Sequence, residues 1–125
     1  MPAYDPENIF ARILRGEIPN DTVAENAHAL AFRDIRPQAP VHILVIPRGR
    51  YVSYDDFAAN ASDDEIVGFN RLVAEVARAE GLSLADGGDG FRAITNAGAH
   101  GVQEVPHFHL HLLGGRPMGR MVSRD

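Results

Sequence analysis

The sequence predicts an α+β fold: an antiparallel sheet of about five strands, near the usual sheet size, with one long and one short helix packed on it. Three observations carry this. Short apolar runs at Thr22–Glu25, Ala29–Phe32, His42–Ile46, Phe91–Thr95 and Val105–Leu113 are bounded by turn-forming residues. A long stretch, Asp63 to Glu80, repeats its apolar residues at helical spacing. The 125 residues are 45% hydrophobic and 23% charged, without internal repeat or linker, which suits a single domain over 1–125 with one core.

In chain order, the first element is a helix from Pro6 to about Leu14. Asp5 is its expected N-cap, Pro6 its first helical residue, and Ile9, Phe10, Ile13 and Leu14 its apolar stripe; Gly16 ends it. The strands Thr22–Glu25 and Ala29–Phe32 flank Asn26-Ala27-His28 as a hairpin, with His28 expected in solvent and without a role. Asp34 to Pro40 is a loop stiffened by Pro37 and Pro40. His42–Ile46, closed by Pro47, is a nearly continuous apolar run and reads as a strand covered on both faces. Ser62 and Glu65 form a capping-box pattern at the start of the long helix, and Gly81 stands where it stops. Its stripe, Ile66, Phe69, Leu72, Val73, Val76 and Ala77, is read as core. Asp86 to Gly90 is a turn, Phe91–Thr95 a strand, Asn96 to Gln103 a glycine-containing loop, and Val105–Leu113 the last strand.

Composition excludes several function classes. There is no cysteine, so no disulfide framework, thiolate nucleophile or cysteine-ligated zinc site. No apolar run approaches the roughly 20 residues that span a bilayer. The N-terminus lacks a basic region followed by an apolar stretch, so no secretory leader is expected and the setting is read as cytoplasmic. The formal net charge is -5, with acids clustered at Asp55, Asp56, Asp63, Asp64 and Glu65, which argues against nucleic acid as a partner. A single small nucleotide needs only local donors and remains compatible.

Chemistry concentrates in His107-Phe108-His109-Leu110-His111, three of the six histidines within five residues. Strand alternation turns these imidazoles to one face and Phe108, Leu110 and Leu112 to the other, into a core. His42 sits in another apolar strand and is expected to pack beside the row; the role of His100, in the loop before it, is open. Three readings apply. The rings could satisfy one another structurally, though burying so many polar groups needs many partners. They could bind a metal, since His-x-His on a strand is good ligand geometry. Or one could be a nucleophile that its neighbours orient and assist. Glycines in Asn96–Gln103 before the row and Gly114-Gly115 after it tip the balance towards phosphate, because glycine lets backbone N–H groups approach an anion.

His107 to Leu113 resembles the signature of the histidine-triad family, His-x-His-x-His followed by two apolar residues. Gly114-Gly115-Arg116 resembles the ending of its HINT branch, the histidine-triad nucleotide-binding proteins. The likeness covers nearly the whole chain: Ile9-Phe10, Ile18-Pro19, the stretch Ala31 to Pro47, and Asn96, Gly98, Gly101 and Gln103. It implies a HIT-like fold and a purine nucleotide as ligand. His109 would attack the α-phosphate and form a nucleotidyl-histidine that water hydrolyses. His111 and His107 would hold phosphate oxygens or fix the tautomer of His109, and His42 would extend their row. Asp34 would bind the ribose hydroxyls. Phe10, Phe32 and Ile35 would sandwich the purine, with plain core as the alternative reading. Asn96 and Gln103 would line the phosphate end, and Gly101 belongs with the nucleotide-binding residues.

Two departures from the family bear on function. Some relatives carry a cysteine-based zinc site near the N-terminus; Asn8-Ile9-Phe10-Ala11 offers none, so no metal and no cofactor is expected. Glu104 stands where the HINT branch usually has serine, which bears on the leaving group. The resemblance implies a purine nucleoside phosphoramidate hydrolase. Alternatives are a nucleotide-binding or interaction protein with vestigial catalysis, and a dinucleoside polyphosphate hydrolase. It also implies a homodimer whose sheets join into a larger one.

Overall fold

In the computed structural model, which describes residues 2–123, β1 (Thr22–Glu25), β2 (Ala29–Arg33), β3 (Val41–Pro47), β4 (Phe91–Ile94) and β5 (Leu110–Gly114) form one sheet. The order is β1-β2-β3-β5-β4, antiparallel throughout. The first three strands are a meander. The chain then crosses the sheet through α2 (Tyr54–Asn60) and α3 (Asp63–Ala79), lays β4 on the outer edge, and returns so that β5 fills the gap beside β3. The class is α+β, as the sequence predicts.

The central strand β3 is buried from His42 to Pro47, so both faces of the sheet are covered there. On one face Ala29, Ala31, Ile43, Val45 and Leu112 meet Phe69, Leu72, Val76 and Ala77 of α3, with Phe57 and Phe108 completing the cluster. The alanines keep this face shallow, which lets the helix lie close. Helix α3 begins with the expected capping box: the Ser62 hydroxyl accepts from Glu65 N–H and the Glu65 carboxylate from Ser62 N–H. On the opposite face the short helix α1 (Ile9–Leu14) sets Phe10 and Ile13 against Leu30, Phe32, Leu44 and Ile46.

Several expectations are corrected. Helix α1 starts at Ile9, not Pro6, because Asn8 rather than Asp5 caps it: the Asn8 side chain accepts from Ala11 N–H at 2.9 Å. Asp5 instead closes the preceding turn, receiving Glu7 N–H at 2.9 Å. The helix count is larger than one long and one short. Helix α2 has a single buried residue, Phe57, too little for a periodic signal, and a further short helix, α4 (Gly98–Gly101), lies in the stretch read as a loop. His28 is half-buried, not solvated; it packs on Gly68 of α3, where a Cβ would meet its ring at 2.8 Å. His100 is exposed on α4. The last strand begins at Leu110 rather than Val105, since Pro106 has no N–H to donate and His107 and Phe108 N–H bond to Val105 and Tyr51 carbonyls outside the ladder. Among the described residues no helix is long and apolar enough to cross a membrane.

Candidate active site

The α1 face of the sheet is not closed along its length. Where β3 and β5 leave α1, a cleft of about 390 Å³ opens. Its floor is Leu44, His109 and His111; Phe10, Ile13 and Phe32 form an apolar wall; Asp34, Ile35, Asn96, Val102 and Glu104 stand around the mouth. Register builds the floor. Leu44 pairs with His111 and His42 with Leu113, so His42, Leu44 and His111 share the α1 face.

Backbone groups fix the protonation pattern of the four imidazoles. Gln38 N–H donates to His42 Nδ1 at 3.0 Å, so the His42 proton sits on Nε2. That nitrogen lies 2.9 Å from His111 Nδ1 and donates to it, which leaves the His111 proton on Nε2. His109 Nδ1 lies 2.8 Å from the His107 carbonyl, which can only accept, so Nδ1 carries the hydrogen and Nε2 a bare lone pair. Among the described residues nothing bonds His109 Nε2, and it is not a buried unpaired atom, so it opens to the cleft. His107 points elsewhere. It is fully buried, donates from Nε2 to the Pro47 carbonyl at 2.8 Å, and accepts at Nδ1 from the Tyr4 hydroxyl at 2.7 Å. Both its nitrogens are engaged, so its ring offers nothing to a phosphate; its carbonyl orients His109.

Electrostatics keep the row neutral. Burial holds His107 at about 4, against the pull of the Pro47 carbonyl and with a contribution from His109. Burial, then the neighbouring His109 and His42 rings, hold His111 at about 4, with Asp34 opposing. His109 is lowered by burial, opposed by its bond to the His107 carbonyl and by the charges of Asp34 and Glu104. His42 is lowered by burial, opposed by Asp34. The 3.4 Å approach of His42 Nε2 to Asp34 Oδ2 is therefore a contact of a neutral ring, not an ion pair.

Asp34, His42 and His111 lie close enough to suggest a metal site. The tautomers argue against it. His42 Nε2 bears a proton and His111 Nδ1 receives it, so neither facing nitrogen is a free ligand atom.

Of the other residues singled out by sequence, Asp34 is aimed by Arg36 N–H, which donates to Oδ1 at 2.8 Å. Phe10 is buried with its ring edge-on to His109 at 4.9 Å and to Phe32 at 5.7 Å, so both serve as core and cleft wall. Ile35 is exposed at the mouth. Gln103 does not reach the cleft: its amide donates to the Val52 and Val105 carbonyls and accepts from Gly98 N–H, pinning the loop. Gly101 packs against the Asn96 backbone outside the cleft lining. Glu104 lies exposed on the rim, so the burial on which a protonated donor depends is missing.

Gly114-Gly115 does not form the expected anion nest. Gly114 packs under Leu82, and Gly115, at φ +94, lies where a Cβ would meet Pro40 at 2.7 Å; both serve close packing away from the cleft. In the other segment the N–H groups of Gly98, Val102 and Gln103 are spent within the loop. Sequence reasoning also missed Tyr4 and Gln38, whose contacts are long-range or backbone-mediated, and Val102. Val102 sits at φ 58, a left-handed conformation where glycine or asparagine is expected.

Comparison with known proteins places this geometry. The HIT domain matches residues 15–118. An uncharacterised 13.2 kDa HIT-like protein of Azospirillum brasilense is 54% identical over 97% of this chain and 96% of its own. The purine nucleoside phosphoramidase of Escherichia coli K12 is 44% identical over 94% of each chain. Among solved structures, a HIT family hydrolase from Legionella pneumophila superposes with TM-score 0.72 at 46% identity, covering 88% of this chain and 94% of that one.

Proposed function

The chain belongs to the HIT-domain family, and from that premise we propose that it hydrolyses purine nucleoside 5′-phosphoramidates through a nucleotidyl-histidine. The observation that carries this is the His109 imidazole: neutral, its Nδ1–H held by the His107 carbonyl, its Nε2 lone pair bare in an apolar-walled cleft. The purine packs against Phe10, Phe32 and Ile35, and Asp34 takes the ribose. His109 Nε2 attacks the α-phosphorus, a P–N bond forms to the imidazole, and the bond to the leaving amine breaks. The His111 Nε2–H donates to a phosphate oxygen as charge develops there. The departing nitrogen needs a proton, which solvent at the open rim supplies. Water then attacks phosphorus, the histidine–phosphorus bond breaks, and a 5′-monophosphate leaves.

The cleft lining favours amines over polyphosphates as leaving groups. Asp21, Asp34 and Glu104 contribute carboxylates, whereas Arg33, the one cation in the lining among the described residues, is held by Glu80 at 2.9 and 3.1 Å. The reaction needs no metal, and activity persists in chelator; loss in EDTA restored by zinc would contradict that.

The protein acts as a two-fold homodimer in this reading. Phe91 and Ile94 on the unpaired edge β4, and Val67 on α3, leave apolar side chains exposed that a second copy would cover. Light scattering at micromolar concentration is expected to give a dimer, and a monomer would sink this part. The test of the activity is release of amine from an AMP-phosphoramidate. Wild type turns over, and His109→Ala binds AMP but does not. Binding by wild type without turnover would favour a nucleotide-binding protein with vestigial catalysis instead.

A further inference from the structure

Two of the three triad rings face the cleft, and the third is tied to a residue far away in sequence. Tyr4 precedes α1 and lies outside residues 15–118, the part that matches the HIT domain. Its hydroxyl donates to His107 Nδ1 at 2.7 Å, and its ring meets the imidazole edge-on at 5.6 Å. We propose that Tyr4 is a positioning residue for the nucleophile: its hydroxyl holds the His107 ring, and with it the His107 carbonyl that aims His109. This rests on His109 attacking phosphorus, as proposed above.

His107 acts as a lever between Tyr4 and His109. His107 is clamped at both nitrogens, by Tyr4 on one side and the Pro47 carbonyl on the other, and is fully buried between them. Ring and carbonyl belong to one residue, so an immobile ring fixes the carbonyl 2.8 Å from His109 Nδ1. Phe10 meets His107 at 6.3 Å and His109 at 4.9 Å, so a shift of one ring is passed to the other. Removing the Tyr4 hydroxyl leaves a buried acceptor without a partner, and the ring must move or admit water to satisfy it. It also removes the donor that favours neutral His107. The groups facing His107 are then Pro47 from β3, Phe10 from α1 and the adjacent His109. The charges near Tyr4 include Arg50, 5.7 Å above its ring, and Arg15, which interacts with it electrostatically. His107 becomes easier to protonate, and a cation there opposes the correct state of the row.

The experiment compares full-length Tyr4→Phe and Tyr4→Leu with wild type, by kinetics on an AMP-amine and by ¹⁵N NMR of the imidazoles. For Tyr4→Phe the expected result is kcat lower by about tenfold with KM within about twofold, since misaim costs the chemical step and not binding. The acid limb of kcat should move to higher pH, and the His107 Nδ1 resonance should lose its hydrogen-bonded shift. Tyr4→Leu should add a loss of thermal stability. Wild-type kcat and imidazole spectra in Tyr4→Phe would overturn the proposal. So would a defect confined to Tyr4→Leu, which would make the contact packing alone. If wild type proves inactive on every phosphoramidate, the NMR comparison still decides whether Tyr4 sets the His107 and His109 rings.

Discussion

On the α3 face of the sheet, Ile43, Val45 and Leu112 disappear under Phe69, Leu72 and Val76 in one hydrophobic cluster. On the α1 face the same strands carry His42, Leu44, Ile46 and His111, and the covering helix is only six residues long. A 17-residue helix seals one side; a short one leaves the other open over the imidazoles. Stability resides on the sealed face and the polar chemistry on the open one. The sealed face can be truncated only at the expense of folding. The open face keeps polar side chains that do little for the core and is bonded so that each has a defined proton.

Truncations on the two faces should fail in opposite ways. On the open face, His109→Ala should lower turnover by about a thousandfold or more, with AMP binding and melting temperature little changed. On the sealed face, Phe108→Ala should cost about 3–5 kcal/mol in urea unfolding, because Phe108 is fully buried among Phe57, Phe69 and Tyr54. If His109→Ala unfolded the protein as Phe108→Ala does, the division between faces would be wrong.

A smaller effect is set by pH. His107 and His111 are held at about 4 in the folded protein, below the ordinary value of 6.5 that they regain on unfolding. The unfolded chain therefore binds protons more readily between those values. Stability is complete above about pH 6.5 and declines as pH falls towards 4, by up to roughly 3 kcal/mol for the fully buried His107 and by less for His111, which solvent partly screens. Urea midpoints measured from pH 7.5 to 4.5 check this; a flat profile would contradict the neutral row. Next in size, Asp34→Asn should raise KM about tenfold with kcat less affected, as a ground-state contact to ribose would. The smallest expected effect is at the rim. Glu104→Ser should raise kcat/KM on a dinucleoside polyphosphate several-fold relative to an AMP-amine, as one exposed charge is removed. An unchanged ratio would mean that Glu104 does not select the leaving group.

The α3 face was more legible in the sequence than the α1 face, for a physical reason. Alternation and helical periodicity are local signals, and they located α3, its capping box and the buried run of β3. Alternation also pointed to His109, His111 and His42, and the family resemblance to Asp34; the register of β3 and β5 sets His42 near His111, and Asp34, just after β2, comes within 3.4 Å of His42. What escaped depends on contacts across the chain or on backbone groups. Asn8 rather than Asp5 caps α1, and α2 buries one residue only. Val105 to His109 leaves the ladder at Pro106, which is why His107 turns away from the cleft although strict alternation puts it beside His109. Gly114 and Gly115 resembled an anion nest and are instead points of close packing. Glycine by itself does not say whether a ligand or a neighbouring chain segment comes near.

A covalent bond between His109 and the nucleotide would be seen by mass spectrometry of enzyme quenched during turnover of an AMP-phosphoramidate. A protein species heavier by one adenylyl group, with the modification mapped to His109 and missing in His109→Ala, is the predicted result. Turnover by wild type with no adenylylated species under single-turnover conditions, or with the adduct on His42 or His111, would contradict it.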